Sequence, residues 1–218
     1  MLDALAQVLV CAALFLALRW GLHRVDALGR PGRFPAIAVV ALVLPALVFA
    51  TPGVHRRAEQ KQLAAAASEL IGIRVSVHCQ TFGQAFVDGG TELGYVKWGA
   101  GGVPEHRTLI KHDQCADLRG YLHSSKVHPT LDQVIAVHVL THESMHMSGI
   151  TDEALAECAA VQRDARMAQL LGATPGAGLY LARTYWRVVY PDMPDGYVSG
   201  ECRPGGLLDE HLPDAPWS

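Results

Sequence analysis

Two nearly continuous apolar runs lie in the first quarter of this 218-residue chain and restrict its folding more than any other feature. They extend over Leu2–Leu18 and Phe34–Ala50, and Asp3 is the one charged residue in either run. Each has about the minimum length of a helix that crosses a bilayer, which needs roughly 17 to 25 residues. The sequence therefore predicts a two-span membrane anchor over residues 1–54, with the lipid bilayer as its partner. A buried hydrophobic hairpin is the alternative.

Positive charge between the runs indicates how such an anchor is oriented. The basic residues there are Arg19, Arg24, Arg30 and Arg33. Asp26 is the one acidic residue between the runs, and no Lys or Arg precedes the first. Because basic loops stay in the cytoplasm, we expect a multi-pass cell-membrane protein whose larger part is extracytoplasmic. Basic residues within 56–61 favour the reverse orientation, and a processing site after Val48-Phe49-Ala50 is a further alternative.

The remainder of the chain has the length of one ordinary domain. We divide it into a helical stalk at 55–70, a domain at 71–191 and a Gly- and Pro-rich C-terminal segment at 192–218. The net charge is −3 and the basic residues are scattered, so we expect no nucleic-acid partner. No oligomeric state is indicated. The chain lacks Asn, and Arg outnumbers Lys, a bias typical of GC-rich bacterial genomes.

A five-residue motif is the next most informative feature. His142-Glu143-Ser144-Met145-His146 reads H-E-x-x-H. Residues four apart on a helix are neighbours, about 5 to 6 Å between Cβ atoms, so both imidazoles can bind one metal ion. Glu143 lies beside them as a general base. A capping box at Thr130–Gln133 and a stop at Gly149 bound the predicted helix over 131–147.

The third metal ligand is expected from a second predicted helix over Asp152–Leu171. Glu153 and Glu157 lie one turn apart near its start and share a face. A catalytic zinc keeps three protein ligands and leaves one position open for water, whose pKa it lowers to about 7. Two His and one Glu satisfy that requirement.

The segment from about His138 to Ala160 resembles the zinc-binding core of the gluzincin metallopeptidases, in which a second helix after the H-E-x-x-H helix carries a Glu ligand. The resemblance implies a zinc metalloendopeptidase that hydrolyses peptide or protein substrates. It implies that Glu143 acts as base and then as proton donor to the leaving amine. It also implies that Glu157 orients the first histidine. The implied Zn²⁺ ligands are His142, His146 and Glu153.

Two residues leave alternatives open. Glu157 is the rival third ligand, because the family more often has Asp at this position and the connection between the two helices is short. His138 lies one turn before His142, where it can support the site, pack against it or close it as a fourth ligand. A zinc with four protein ligands is structural. The chain would then be a non-enzymatic, membrane-tethered interaction domain.

The resemblance implies two further features of the site. Family members hold an extended substrate on an edge strand beside the active-site helix, and Arg107–His112 is the candidate. They also place a Tyr or His near the zinc to stabilise the oxyanion. The candidates for that role are Tyr185, Tyr190, Tyr197 and His211.

The expected fold class is α+β. Two N-terminal transmembrane helices precede a small zincin-like domain, whose short antiparallel sheet packs on the H-E-x-x-H helix and the helices that follow. Alternating or β-rich patterns predict strands at Ile73–Cys79, Phe86–Asp88, Gly94–Trp98 and Thr108–Lys111. A last helix is predicted at 179–190.

Cysteine usage agrees with an extracytoplasmic domain. Cys11 lies in the first apolar run, and the others are Cys79, Cys115, Cys158 and Cys202. An oxidising compartment permits two disulfides, although four cysteines allow three pairings. We favour Cys79 with Cys115 and Cys158 with Cys202. Four buried thiols in a cytoplasm-facing domain are the alternative.

Overall fold

A computed structural model of the chain describes residues 2–23, 25, 32–85, 90 and 92–218. The chain divides into two compact units, Met1–Ala58 and Glu59–Ser218. The structure confirms a mixed α+β fold that is mostly helical. The predicted strand at 86–88 lies outside the described residues, as do Arg24, Asp26 and Arg30 of the predicted loop.

Helices account for most of the regular structure, and the strands are short. In chain order the helices are α1 Leu2–Leu22, α2 Ala36–Ile71, α3 Phe82–Ala85, α4 His112–His123, α5 Leu131–Met147, α6 Glu153–Val161, α7 Asp164–Leu170 and α8 Pro175–Thr184. The strands are β1 Ser76–Cys79, β2 Gly94–Trp98 and β3 Pro104–Ile110. A π-helical turn at Tyr185–Val189 and a 3₁₀ turn at Tyr190–Asp192 follow α8.

The smaller unit consists of α1 and the first part of α2. Both helices are long and apolar enough to cross a membrane, judged by length and composition. Their small side chains, such as Ala13 and Ala46, are buried, whereas Phe15 is 63% exposed and Ile37 88% exposed. At the end of α1 the indole of Trp20 donates a hydrogen bond to the Gly32 carbonyl.

The last part of α2 belongs to the larger unit. Residues 55–70, predicted as a helical stalk, are helical throughout. Leu63, Ala66 and Ala67 are buried in the main core. The end of α2 therefore contributes apolar surface to the core of the larger unit.

The sheet has three strands in the order β1-β3-β2. β2 pairs with β3 in antiparallel fashion, whereas β1 pairs with β3 in parallel. The prediction of an antiparallel sheet is therefore wrong in its β1 pairing. β2 lies between β1 and β3 in sequence, and a parallel pair such as β1 with β3 needs a crossover connection of this kind rather than a tight hairpin.

Helix α5 is the central element, and its start and stop follow the sequence prediction. The Thr130 side chain accepts from the Gln133 amide, and the Gln133 side chain accepts from the Thr130 amide, so the predicted capping box is confirmed. Gly149 follows the helix with a φ of 110°, a conformation that favours glycine. Between these ends the side chains from Ala136 to Met147 are buried.

The helix predicted over Asp152–Leu171 is wrong in its continuity, because α6 and α7 separate at Gln162 and Arg163. The amide of Arg163 bonds to the carbonyl of Ala160, three residues back, which tightens the chain at this point. Gln162 is fully buried, and its side-chain amide donates to the Leu208 carbonyl at 2.9 Å. A contact distant in sequence thus accompanies the break.

The C-terminal part also differs from its prediction. The last helix begins at Pro175 rather than at 179, because the Thr174 side chain caps it. Residues 193–218 form turns, yet Cys202 and Ala215 are buried. Both guanidinium nitrogens of Arg163 contact the Glu210 carboxylate. This segment is therefore packed against the helices of the larger unit.

Candidate metal centre

Helix α5 presents His142 and His146 on one face, as the four-residue spacing predicts. Their ring centroids lie 4.6 Å apart, and each residue is 7% exposed. The Nδ1 atom of His146 lies 2.7 Å from the Ile150 carbonyl. A carbonyl only accepts hydrogen bonds, so this contact places the proton of a neutral His146 on Nδ1 and leaves Nε2 free to bind a metal.

Glu153 completes a group of three residues at the start of α6. Asp152 caps this helix by accepting from the Leu155 amide, so Glu153 follows closely after the turn that ends α5. Its Oε2 atom lies 3.1 Å from Nε2 of His142 and 3.2 Å from Nε2 of His146. These residues could hold a metal ion.

Two of the three separations between these donor atoms fit a tetrahedral cation. Zinc bonds to His and carboxylate ligands are roughly 2.0 to 2.2 Å long, which separates neighbouring ligand atoms in a tetrahedron by about 3.3 Å. The separations from Oε2 of Glu153, 3.1 Å and 3.2 Å, are close to this value. The Glu153 side chain is 45% exposed, so the group is accessible from its side.

Charge at the site favours a cation between the imidazoles. Burial alone would lower the pKa of His142, but hydrogen bonds with Glu153 and Glu157 outweigh it and raise the pKa to about 9. The hydrogen bond with His142 is in turn the main cause that lowers the pKa of Glu153. The carboxylates therefore stabilise positive charge at this position, whether a proton or a metal ion supplies it.

Glu143 lies beside this group, between α5 and the sheet. It is 4% exposed, and burial raises its pKa to about 7. The Thr108 hydroxyl of β3 lies 3.4 Å from Oε2 of Glu143 and 3.1 Å from the Tyr95 carbonyl. A Cβ atom at Gly94 of β2 would lie 2.9 Å from Oε1 of Glu143. The sheet thus confines the carboxylate that the motif nominates as a base.

Glu157 and His138 form a second group with the other nitrogen of His142. Oε2 of Glu157 lies 2.9 Å from Nδ1 of His142 and 3.0 Å from Nε2 of His138. The group is buried, and by proximity it too could hold a metal ion. Glu157 thus lies behind His142, whereas Glu153 faces both Nε2 atoms. This arrangement favours Glu153 over Glu157 as the ligand shared with His146.

The candidates for oxyanion stabilisation lie in different places. Tyr197 is the one beside the first group, with its ring centroid 5.9 Å from that of His142. The Tyr185 hydroxyl is committed to Glu157, and that of Tyr190 to Ser199. His211 is exposed and pairs with Asp209.

The prediction that Arg107–His112 forms an edge strand for substrate is wrong. Arg107–His112 overlaps β3, which is the central strand and pairs on both sides. His112 already begins α4. β2 lies at an edge of the described sheet, with Gly94 against Glu143 and the Trp98 ring centroid 6.1 Å from that of His146. The strand beside the site is therefore β2.

Both disulfides form in the favoured pairing, and one is close to the site in sequence. Cys79 at the end of β1 bonds to Cys115 of α4, and Cys158 of α6 bonds to Cys202. Cys158 directly follows Glu157 in sequence, and its Sγ atom is committed to the disulfide with Cys202. Cys11 is the free cysteine.

Several residues that contribute to the site were not predicted from the sequence. They are Gly94, Thr108, Asp164 and the indole of Trp98, and none belongs to a motif. Known proteins add nothing to this assignment: no family model matches the chain, and no curated protein or solved structure matches it.

Proposed function

We propose that this protein is a membrane-anchored, zinc-dependent metallopeptidase of gluzincin type that hydrolyses peptide bonds. The observation that carries the proposal is the position of one Glu153 oxygen within 3.2 Å of the Nε2 atoms of both motif histidines. The buried Glu143 carboxylate adjoins them. Nitrogen and oxygen donors in this combination suit Zn²⁺.

The chain's own residues divide the chemistry as follows. Zn²⁺ held by His142, His146 and Glu153 would supply Lewis acidity, which polarises the scissile carbonyl and acidifies water. Glu143 takes one proton from the attacking water as its oxygen forms the bond to the carbonyl carbon. It returns that proton to the amide nitrogen as the carbon–nitrogen bond breaks, so it ends the cycle as a carboxylate.

Substrate and oxyanion positions follow from the neighbours of the site. An extended peptide laid along β2 would pass both Glu143 and Trp98, and the free edge of a strand pairs readily with such a segment. Tyr197 is the tyrosine that lies beside His142. We assign it the role of donor to the developing oxyanion.

The smaller unit supplies the anchor in this proposal. Large apolar side chains such as Phe15 and Ile37 are exposed along α1 and α2. Exposure of this kind is unfavourable in water but favourable in the hydrocarbon core of a bilayer. By the positive-inside rule, the basic residues between the two apolar runs support an extracytoplasmic position for the catalytic unit.

A structural metal site in an interaction domain is the competing function. It requires a fourth protein ligand, for which His138 is the candidate. Both nitrogens of His138 already contact carboxylates, at 2.8 Å from Asp164 and 3.0 Å from Glu157. The exposed side of Glu153 also leaves room for water at the site. Both observations favour the catalytic alternative.

The test uses the full chain purified in detergent. Atomic emission measures bound zinc, and a quenched peptide library measures hydrolysis. We expect one zinc per chain and a hydrolytic activity that Glu143→Gln abolishes without loss of zinc. Glu105→Gln, the same change at an exposed position, should leave both unchanged. Zinc without hydrolysis of any library peptide would support the interaction domain, and a wild-type chain without zinc would contradict both functions.

A further inference from the structure

Three hydrogen-bond donors hold Glu157, although its carboxylate does not face the Nε2 atoms of His142 and His146. Its Oε2 atom accepts from His142 and His138, and its Oε1 atom accepts from the Tyr185 hydroxyl at 2.7 Å. It is 1% exposed. A buried carboxylate with three donors is stable as an anion. Its orientation is fixed by its partners rather than by solvent.

His138 is the histidine of this network that is not a ligand in the proposed metal site. Its Nε2 atom donates to Glu157, and its Nδ1 atom lies 2.8 Å from Oδ2 of Asp164. An ionised carboxylate only accepts hydrogen bonds, so when both partners are ionised both ring nitrogens donate, as in an imidazolium. The ring is stacked on Tyr185 with centroids 3.5 Å apart and planes inclined by 11°. The two hydrogen bonds and the stacking together fix its position.

The position of the network follows from helix geometry. His138, His142 and His146 recur one turn apart on α5, and Asp164 is the first residue of α7. Asp164 lies against His138, while Glu157 reaches both His138 and His142. The chain Asp164, His138, Glu157, His142 is thus continuous through hydrogen bonds and ends at the metal site.

We propose that His138, anchored by Asp164, is a positioning residue that holds Glu157 and thereby turns Nε2 of His142 toward the metal. The inference rests on the metal site proposed above. Its physical basis is that a histidine ligand needs an acceptor on its other nitrogen, and loss of such a partner typically costs 10- to 100-fold in metal affinity. Here that acceptor is Glu157, which is buried and whose position depends on its hydrogen bond with His138.

Charge supplies a second reason for a histidine at this position. Glu157 and Asp164 are both buried, at 1% and 0% exposure, and both approach the same ring. Two carboxylates without an intervening cation would repel one another and would lack two hydrogen bonds. Removal of His138 should therefore displace Glu157, and the displacement should reach His142.

The competing assignment is a second metal ion between His138, His142 and Glu157, whose donor atoms lie within 4.8 Å of one another. It would require His138 to lose a proton and to exchange a hydrogen bond for a metal bond. The stacking on Tyr185 and the contact with Asp164 favour the hydrogen-bonded network. Metal stoichiometry distinguishes the two assignments.

The experiment loads the full chain in detergent with Co²⁺. It measures the Co²⁺ content, the visible absorption spectrum, which reports ligand geometry, and the affinity by competition with a chelator. The variants are His138→Gln and Asp164→Asn, with His106→Gln as the control at an exposed position. We expect one Co²⁺ per chain throughout, a 10- to 100-fold lower affinity and an altered spectrum in the two test variants, and a control identical to wild type.

Each outcome decides the inference. Wild-type affinity and spectrum in both test variants would overturn it while leaving the metal site in place. Two Co²⁺ ions in wild type and one in His138→Gln would overturn it in favour of a second metal ion. A wild-type chain that binds no Co²⁺ would overturn both this inference and the proposed function. If His138→Gln fails to fold by circular dichroism, Asp164→Asn, which preserves side-chain volume, decides.

Discussion

A Cβ atom added to Gly94 would lie 2.9 Å from Oε1 of Glu143. Because Gly94, the first residue of β2, has no side chain, the carboxylate of the proposed base can occupy this space. Real Cβ contacts are almost never this short, so a side chain at Gly94 must displace the strand or Glu143.

Gly94→Ala should reduce peptide hydrolysis by about 100-fold without loss of zinc, because a base displaced by about 1 Å loses its alignment with the attacked carbonyl. The comparison is kcat together with zinc content. Gly99→Ala is the matched control, because a Cβ atom there would lie 3.5 Å from the Val103 carbonyl, an ordinary contact. Unchanged kcat in Gly94→Ala would show that the observed position of Glu143 is not the reactive one.

The two glutamates of α6 should respond differently to truncation. Glu153→Ala should lose nearly all bound zinc, since it removes one of three ligands. Glu157→Ala should retain zinc with roughly 10- to 100-fold lower affinity, since it removes the partner of His142. Competition with a chelator measures both. Tighter zinc binding in Glu153→Ala than in Glu157→Ala would exchange the roles of the two residues.

Loss of the Cys158–Cys202 disulfide should destabilise the larger unit. The bond joins residues 44 positions apart. Closure of such a loop restricts the unfolded chain and can stabilise the folded state by at most about 4 kcal/mol. The double variant Cys158→Ala, Cys202→Ala should lose roughly 2 to 4 kcal/mol of unfolding free energy. Trp fluorescence during denaturation measures this, because Trp186 and Trp217 are in contact, with ring centroids 4.9 Å apart.

Cys11→Ala is the control for that experiment, because Cys11 forms no disulfide. It should leave the unfolding transition of the larger unit unchanged. Equal stability of the double variant and wild type would mean that the noncovalent contacts of Gln162 and Arg163 suffice to hold the C-terminal segment.

The proposed orientation of the anchor predicts the redox state of the cysteines in cells. If the larger unit is extracytoplasmic, the two disulfides should be oxidised in living cells and the chain should stay with membranes after an alkaline wash. Thiol labelling before and after reduction measures the first, and fractionation the second. If the four cysteines of the larger unit are reduced in cells, as the free Cys11 is, the domain lies in the cytoplasm.

Local features of the site were predictable because they depend on the period of one helix. The H-E-x-x-H spacing places His142 and His146 on one face, and the capping box at Thr130 and the stop at Gly149 bound that helix. The proximity of Glu153 followed from a short turn between two helices. Apolar run lengths alone predicted the two long helices at the N-terminus.

Interactions between distant parts of the chain were decided by tertiary structure. The parallel pairing of β1 with β3 made β3 central, and no local pattern specifies which strand lies at an edge. The break between α6 and α7 accompanies a contact of Gln162 with Leu208. At the start of α7, Asp164 lies against His138, a residue 26 positions away in sequence.

The sequence by itself thus determined the motif helix, its two histidines and its candidate base, because side-chain direction on a helix repeats every few residues. Tertiary structure decided which groups surround them: Gly94 and Thr108 around Glu143, and Asp164 and Tyr185 around His138 and Glu157. The physical reason is that such contacts arise when separate apolar faces pack into one core. The partner that a buried polar group then meets depends on the whole fold rather than on its neighbours in sequence.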